Sequence, residues 1–450
     1  MKVIPRRPYF PFLTDFMEYN QAANHTIPYT KRMIERYGDV CDVSFLGIRN
    51  YFIHDPEVIR EMLTTQNALM QRSYFFKTFR KFLGQGLFTA DGDLHRQQRK
   101  LMKPAFYPER IREYARIMVG CAEEEIQNMK SGEVVNVNRA MTRITLKVIT
   151  RSMFGSGLDE KQIDEIGDEI TEVLHLINKI LQNPVSIYCL IHEIKIPVVK
   201  KFFRHRQKLD RVVNGIITSY RKNPTPGRND LLSLLLEAKD EDSGIQMSDE
   251  QIRDEVMTVF LAGHETTALA LTWTLNLLST NSSVEEKVRE ELNSVVKNRM
   301  PQEGDFQQLV YLKNVFRESL RLYPPAWTIA RQTRKEVTIN DYHFPKGSVL
   351  WTITYLVQHD PRYFHDPDLF LPERWEEEGV KQIPKYAYFP FGGGARMCIG
   401  EGFAWMEGIL VLATILQKVK FENISEMPIE IDPVFSLRTK PDLKLRVHRL

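Results

Sequence analysis

Between Ser248 and Thr280 the chain carries an apolar-rich helical stretch, interrupted midway by a polar and charged cluster. It opens on Ser248-Asp249-Glu250-Gln251, a capping box in which each end of the first turn finds a side-chain partner. At 1.5 Å per residue such a helix is about 45–50 Å long, enough to cross a whole domain. Helical periodicity also marks 55–69, 94–106, 109–129, 138–153 and 161–181. A further helix, 307–322, is stopped by Pro324-Pro325, because proline disfavours helix in the residue before it. Strand signals are short: 40–45, 50–54, 336–340, 349–354 and 444–448. The expectation is a mainly α protein with a minor β region towards the two ends of the chain.

With 450 residues, 43% of them hydrophobic, the chain can bury a large core and a cofactor. Length alone suggests about three domains, yet no linker separates them. Asn223-Pro224-Thr225-Pro226-Gly227 is too short and reads as an exposed loop between helices. One domain spanning 1–450 is expected. The net charge of +3, from 61 basic and 58 acidic residues, argues against a nucleic-acid protein. After Arg6 and Arg7 comes only the short apolar group Tyr9-Phe10-Pro11-Phe12-Leu13. A membrane span needs about 20 apolar residues, so the expectation is a cytoplasmic protein without a stable membrane anchor. The four cysteines, Cys41, Cys121, Cys189 and Cys398, form no CxxC pair, which fits neither a disulfide framework nor a zinc cluster.

Cys398 stands apart because of its neighbours. Phe391-Gly392-Gly393-Gly394-Ala395-Arg396-Met397-Cys398-Ile399-Gly400 leads into an apolar helix expected at about 402–419. A thiolate gains from a helix N-terminus and from nearby backbone N–H groups. Glycines let that backbone turn tightly and approach a flat macrocycle. Taken alone, the run is also compatible with a glycine-rich turn around an incidental buried thiol. In full it resembles the haem-binding signature of the cytochrome P-450 superfamily, F-x-x-G-x-R-x-C-x-G, at Phe391, Gly394, Arg396, Cys398 and Gly400.

That resemblance implies a single-domain cytochrome P-450 fold, with haem b held between the long central helix and the cysteine-loop helix. Cys398 becomes the axial ligand of the haem iron, its thiolate donating electron density that favours O–O cleavage. Phe391 packs near the sulfur, and Arg396 pairs with a haem carboxylate. Glu318 and Arg321, at i and i+3 on one helix face, resemble the family's E-x-x-R element. Phe370-Leu371-Pro372-Glu373-Arg374-Trp375 resembles its P-E-R-F/W element. Glu318, Arg321 and Arg374 are therefore expected to form a buried structural triad. Ala262-Gly263-His264-Glu265-Thr266-Thr267 is similar to the family's A-G-x-[D/E]-T-T pattern. There a widened turn leaves a groove for molecular oxygen, Thr266 offers a hydroxyl and Glu265 feeds protons inward. Relatives that only rearrange peroxides often lack this pair. His264 holds the variable position, where packing is the plainer role. His95 stands where the family usually has tryptophan in W-x-x-x-R, and shares a helix face with Arg99. Arg331 fits the place of another propionate contact.

The implied activity is insertion of one oxygen atom from O2 into a lipophilic substrate. The chain carries no dinucleotide fingerprint. Electrons are expected from a ferredoxin or flavodoxin with an NAD(P)H-dependent reductase, docking near Arg96, Lys100 and Lys103. Pocket residues are expected in 74–88, 174–185, 260–262, 326–330 and 435–437, represented by Phe75, Phe88, Leu174, Ala262, Ala326 and Leu437. A fatty acid is placed ahead of a terpenoid. Arg49, Tyr51, Arg72 and Lys77 are candidate carboxylate anchors, each more simply read as a surface residue. A peroxide-using haem-thiolate peroxygenase and a non-catalytic haem-thiolate sensor remain the alternatives.

Overall fold

The computed structural model describes residues 2–6, 21–44, 47–155, 159–222, 230–238, 244, 246–425 and 429–450. The apolar group 9–13 and the loop 223–227 lie outside the described residues. The axis of the molecule is the helix Asp249–Thr280, 32 residues without a break. Its capping box forms as expected. The Gln251 amide N–H donates to the Ser248 hydroxyl at 3.2 Å, and the Ser248 N–H to the Gln251 side chain at 2.9 Å. Residues on nearly every face of this rod are buried, as befits a helix surrounded by others.

Three neighbours position the site. Helix Val137–Met153 crosses the middle of the rod, where the Thr145 hydroxyl donates to the His264 carbonyl at 3.0 Å. Helix Glu401–Lys418 carries the cysteine loop at its N-terminus, packing on Pro108–Gln127 and on the rod. Its Gly408 leaves room for the Phe316 ring, whose Cζ lies 2.5 Å from where a Cβ would stand. Helix Val310–Leu322 brings Phe316 and Glu318.

The β region is small. A five-stranded sheet runs in the order Val40–Asp42, Asn50–Ile53, Val349–Thr352, Ile329–Thr333, Met70–Gln71. Its parallel pair, Asn50 opposite Val349, joins the two ends of the chain. Lys444–Arg449 lies between Val134–Asn136 and Val419–Asn423 in a second sheet.

Several boundaries differ from expectation. The helix expected at 55–69 starts under Asp55, whose carboxylate accepts from the Glu57 and Val58 amides at 2.8 and 3.2 Å. It ends at Leu63, where Thr64 and Thr65 follow, β-branched residues that give up side-chain freedom in a helix. The one expected at 94–106 becomes 3₁₀ at Lys103–Phe106, around Pro104. Helix Pro197–Lys222, 26 residues long, was not expected. It runs antiparallel to Glu160–Leu181, with Lys201 on Glu172 at 2.9 Å and Lys208 on Glu169 at 2.6 Å. Among the described residues no helix is long and apolar enough to cross a membrane.

Candidate active site

Between the rod and the cysteine loop lies a cavity of about 560 Å³. Its walls are mostly apolar, with Phe79, Phe88, Leu261, Phe391 and Phe435 among them. Cys398 and Thr266 both open onto it, one from each of the two elements.

The cysteine loop is built by its backbone. The Cys398 amide donates to the Phe391 carbonyl at 3.0 Å, and the Met397 amide to the Gly394 carbonyl at 3.1 Å. Gly392 and Gly394 take φ of +73° and +64°, which glycine alone adopts at little cost. A Cβ on Gly394 would overlap the carbonyl oxygen of Leu63. Burial pushes the unligated Cys398 thiol up to about 11, although the Gly400 N–H aims at the sulfur and Arg99 pulls the other way. Near neutral pH a thiolate here therefore needs a cation on the sulfur, as metal coordination supplies.

Around the loop sits an excess of positive charge. Arg396 donates to the Ala90 carbonyl at 2.9 Å and pairs with Asp91. Arg99 donates to the Met397 carbonyl at 2.9 Å. Arg331 is buried and bonds the Ala330 carbonyl at 3.0 Å, but its Nε has no partner among the described residues. Burial and Arg396 draw its pKa down to about 10. His95 is buried, and desolvation with Arg396, Arg72, Arg99 and Arg331 presses its pKa down to about 3, so it is neutral.

Arg72 corrects the expectation of a surface residue. It lies on the cavity wall, its guanidinium 4.5 Å from the Phe76 ring and 5.1 Å from the Phe88 ring. Its Nε is buried without a partner among the described residues. Desolvation, with Arg331 and Arg396 beside it, lowers its pKa well below the usual range. Four guanidiniums thus face one carboxylate, Asp91, in a water-poor setting where unpaired charge is costly. Two further carboxylates would cut that surplus to a single charge, and a flat macrocycle bearing two propionates fits both this rim and the glycine-lined approach to the sulfur. Arg49 and Lys77 are exposed, and Tyr51 packs edge-on against Phe344 at 5.2 Å; none of these three lines the cavity.

On the rod, the Thr266 hydroxyl donates to the Ala262 carbonyl at 2.8 Å. Glu265 turns away from the cavity. One of its oxygens accepts from the Ser436 hydroxyl at 2.7 Å and from Arg438 at 2.6 Å, while the other is buried without a partner among the described residues. Ser436 itself is on the cavity wall, and Arg438 reaches the outside. His264 is buried, bonds the Phe260 carbonyl and is held neutral by desolvation, a packing role. The widened turn expected at Gly263 is not a break in the helix. Ile149 Cδ1 comes within 2.6 Å of its Cβ position, so the glycine permits close helix packing.

Behind the loop, Glu318 and Arg321 are 0% exposed. Glu318 accepts from Arg321 at 2.7 and 2.9 Å, from Arg374 at 3.3 Å, from the Trp375 indole at 2.8 Å and from the Leu371 amide at 3.3 Å. The Trp375 contact had no sequence signal beyond its place in the P-E-R-W run. Of the pocket residues expected, Phe75, Phe88, Ala262 and Ala326 line the cavity. Leu174 and Leu437 do not: both are buried in the core, Leu437 against Trp327 and Ile353. Trp327, within the expected stretch 326–330, lines it too, and Trp351 and Thr258 line it unexpectedly.

The sequence profile of the family described as Cytochrome P450 matches residues 5–445. Cyclooctatin synthase of Streptomyces melanosporofaciens is 32% identical over 406 residues, covering 90% of this chain and 88% of that protein. Cyclooctat-9-en-7-ol 5-monooxygenase of the same organism is 30% identical, with 86% and 83% covered. Among solved structures, retinoic-acid-bound cyanobacterial CYP120A1 superimposes with a TM-score of 0.87 at 25% identity, over 100% of this chain and 99% of that one.

Proposed function

The chain belongs to the cytochrome P450 family and is a haem-dependent monooxygenase; from that premise we propose that it oxygenates an apolar isoprenoid in the cavity between Cys398 and Thr266. The observation that carries this reading is the cavity itself, with a sulfur opening onto it, a hydroxyl from the rod, and a rim of under-neutralised arginines. Bound there, haem b supplies the iron centre at which dioxygen is reduced and split.

The chain's own residues do the rest. Cys398 would hold the haem iron through its sulfur, with Phe391 beside it on the cavity wall and the Gly400 N–H stabilising its charge. Arg72, His95, Arg99, Arg331 and Arg396 would hold the two propionates. The apolar walls exclude water and position the substrate's C–H bond. Thr266 holds a proton-bearing hydroxyl beside the reacting face. Glu265, anchored by Ser436 and Arg438, links that neighbourhood to the exterior as a proton store. Glu318, Arg321 and Arg374 keep the loop in place and touch neither substrate nor cofactor. Electrons come from a separate ferredoxin or flavodoxin, docking by charge on the exposed Arg96, Lys100 and Lys103.

An isoprenoid now ranks ahead of the fatty acid. One similar protein is named for a cyclic alkenol, and another binds retinoic acid. The aromatic and aliphatic walls suit a branched or cyclic skeleton, and the cavity's volume of about 560 Å³ has to take the porphyrin as well, since Cys398, Gly392 and Arg396 line the same space. A spin-shift screen tests this without any reductase: sesquiterpenes and diterpenes should displace iron-bound water at lower concentration than long-chain fatty acids. The opposite order sinks the isoprenoid assignment.

A further inference from the structure

Segment 84–90 carries Leu87 and Phe88 to the cavity wall, and two consecutive acids of the rod hold it there. The Gln85 amide donates to Asp254 Oδ2 at 2.7 Å, and the Leu87 amide to Glu255 Oε2 at 2.9 Å. Glycine is required at the contact. Gly84 has φ of +65°, and a Cβ on it would overlap the Asp254 carboxylate. A Cβ on Gly86 would overlap Thr258 Oγ1. Within and beside the segment, Gln98 Nε2 donates to the Gln85 carbonyl at 2.6 Å and the Thr89 hydroxyl to the Gly84 carbonyl at 2.7 Å.

The two acids are supported differently. Asp254 has a cation, Arg253 at 2.8 Å, which also reaches Asp210 and the Phe82 carbonyl. Glu255 is 0% exposed, and the charged group acting on it is Asp254, of like sign. Its Oε1 has no partner among the described residues, and neither do Thr258 Oγ1 and Gln98 Oε1 around the same segment. A dry carboxyl so placed is stable only while neutral; ionised, it needs water that the closed contact does not admit.

We propose that Asp254 and Glu255 are positioning residues that latch segment 84–90, and with it Leu87 and Phe88, over the substrate, and that loss of the proton on Glu255 loosens the latch. This rests on reading the cavity as the substrate site and is independent of which substrate fills it. Burial raises the Glu255 pKa from 4.5 to about 8, with Asp254 adding to the rise and the Leu87 N–H opposing it. When the latch opens, water restores the ordinary value. The free energy of opening is therefore greatest below the open-state value of 4.5, falls as pH rises towards about 8, and is level above that.

The test is hydrogen exchange of peptides covering 84–90 in the haem-loaded protein, corrected for intrinsic rates, across pH 5 to 9. Protection should fall by up to about tenfold per pH unit to near pH 8 and then level off. Glu255→Gln keeps an acceptor for Leu87 and cannot ionise, so its profile should be much flatter than wild type, the slope that remains belonging to Asp254, whose own pKa burial also raises. Glu255→Ala should lose about five- to hundredfold of protection at pH 6. The dissociation constant of clotrimazole, an apolar azole that reports through the Soret band, should follow the same curve, whereas carbon monoxide binding should not. A flat wild-type profile, or a Glu255→Gln slope equal to wild type, overturns the latch; if Glu255→Ala does not fold, that pair of profiles decides alone. Should the slope appear while clotrimazole causes no spectral change, the latch stands and the reading of the cavity as the substrate site fails.

Discussion

Two buried carboxylates of this molecule are treated in opposite ways. Behind the cysteine loop, Glu318 fills both oxygens with donors from Arg321, Arg374, Trp375 and the Leu371 backbone. On the rod, Glu265 satisfies one oxygen through Ser436 and Arg438 and leaves the other bare. Arg321 likewise spends its donors on Glu318 and on the carbonyls of Gln358, Pro367 and Leu369, whereas Arg331 and Arg72 at the cavity each leave Nε unpaired. The lesson concerns where the protein keeps unmet hydrogen-bonding capacity. The triad's charged groups are saturated by the fold, whereas Glu265, Arg72 and Arg331 keep capacity that a proton, water or a cofactor can meet.

If that division is sound, substitutions should separate into losses of chemistry and losses of stability. The largest effect is expected for Cys398→Ser. Product formation should drop on the order of a thousandfold or more, about 4 kcal/mol of barrier, with the thiolate signature gone from the carbon monoxide spectrum of the reduced protein. Next comes Glu318→Ala, which strands two arginines in a dry site and should cost about 3–5 kcal/mol of stability, read as a lower melting temperature. An activity loss per folded haem as large as that of Cys398→Ser would break the comparison, since it would place the triad in the chemistry.

Thr266→Ala should behave in reverse. Stability should stay within about 0.5 kcal/mol, while product formed per electron pair falls by about a hundredfold; unchanged coupling would remove Thr266 from proton delivery. The smallest of these effects is expected for Arg72→Leu. Deleting one charge-assisted contact to a propionate should weaken haem retention about tenfold, some 1.4 kcal/mol, measured by transfer to apomyoglobin. Retention equal to wild type would instead leave Arg72 free for the substrate.

The rod and the cysteine loop were legible because each is a local pattern: a capping box before an apolar run, and glycines spaced around one thiol. The triad was legible only in its acidic and basic members, since the indole of Trp375 joins them through tertiary packing. Arg72, one of four candidate anchors, was taken for a surface residue for the same reason. Nothing adjacent in sequence announces that Arg331 and Arg396 will stand beside it. Leu174 and Leu437 show the limit of periodicity, which says that a side chain points inward but not whether a cavity or the core receives it. Helix Pro197–Lys222 was hidden by its run of Lys200, Lys201, Arg204, Arg206 and Lys208, of which Lys201 and Lys208 find their acids on the neighbouring helix Glu160–Leu181.

The overlap that any side chain on Gly394 would make with the Leu63 carbonyl has a consequence for biogenesis. The sulfur's seat is bounded by backbone from two segments far apart in sequence, the one at Leu63 and the one at Gly394. Until both segments have docked the porphyrin has no finished berth, so haem capture has to follow their meeting and cannot precede it.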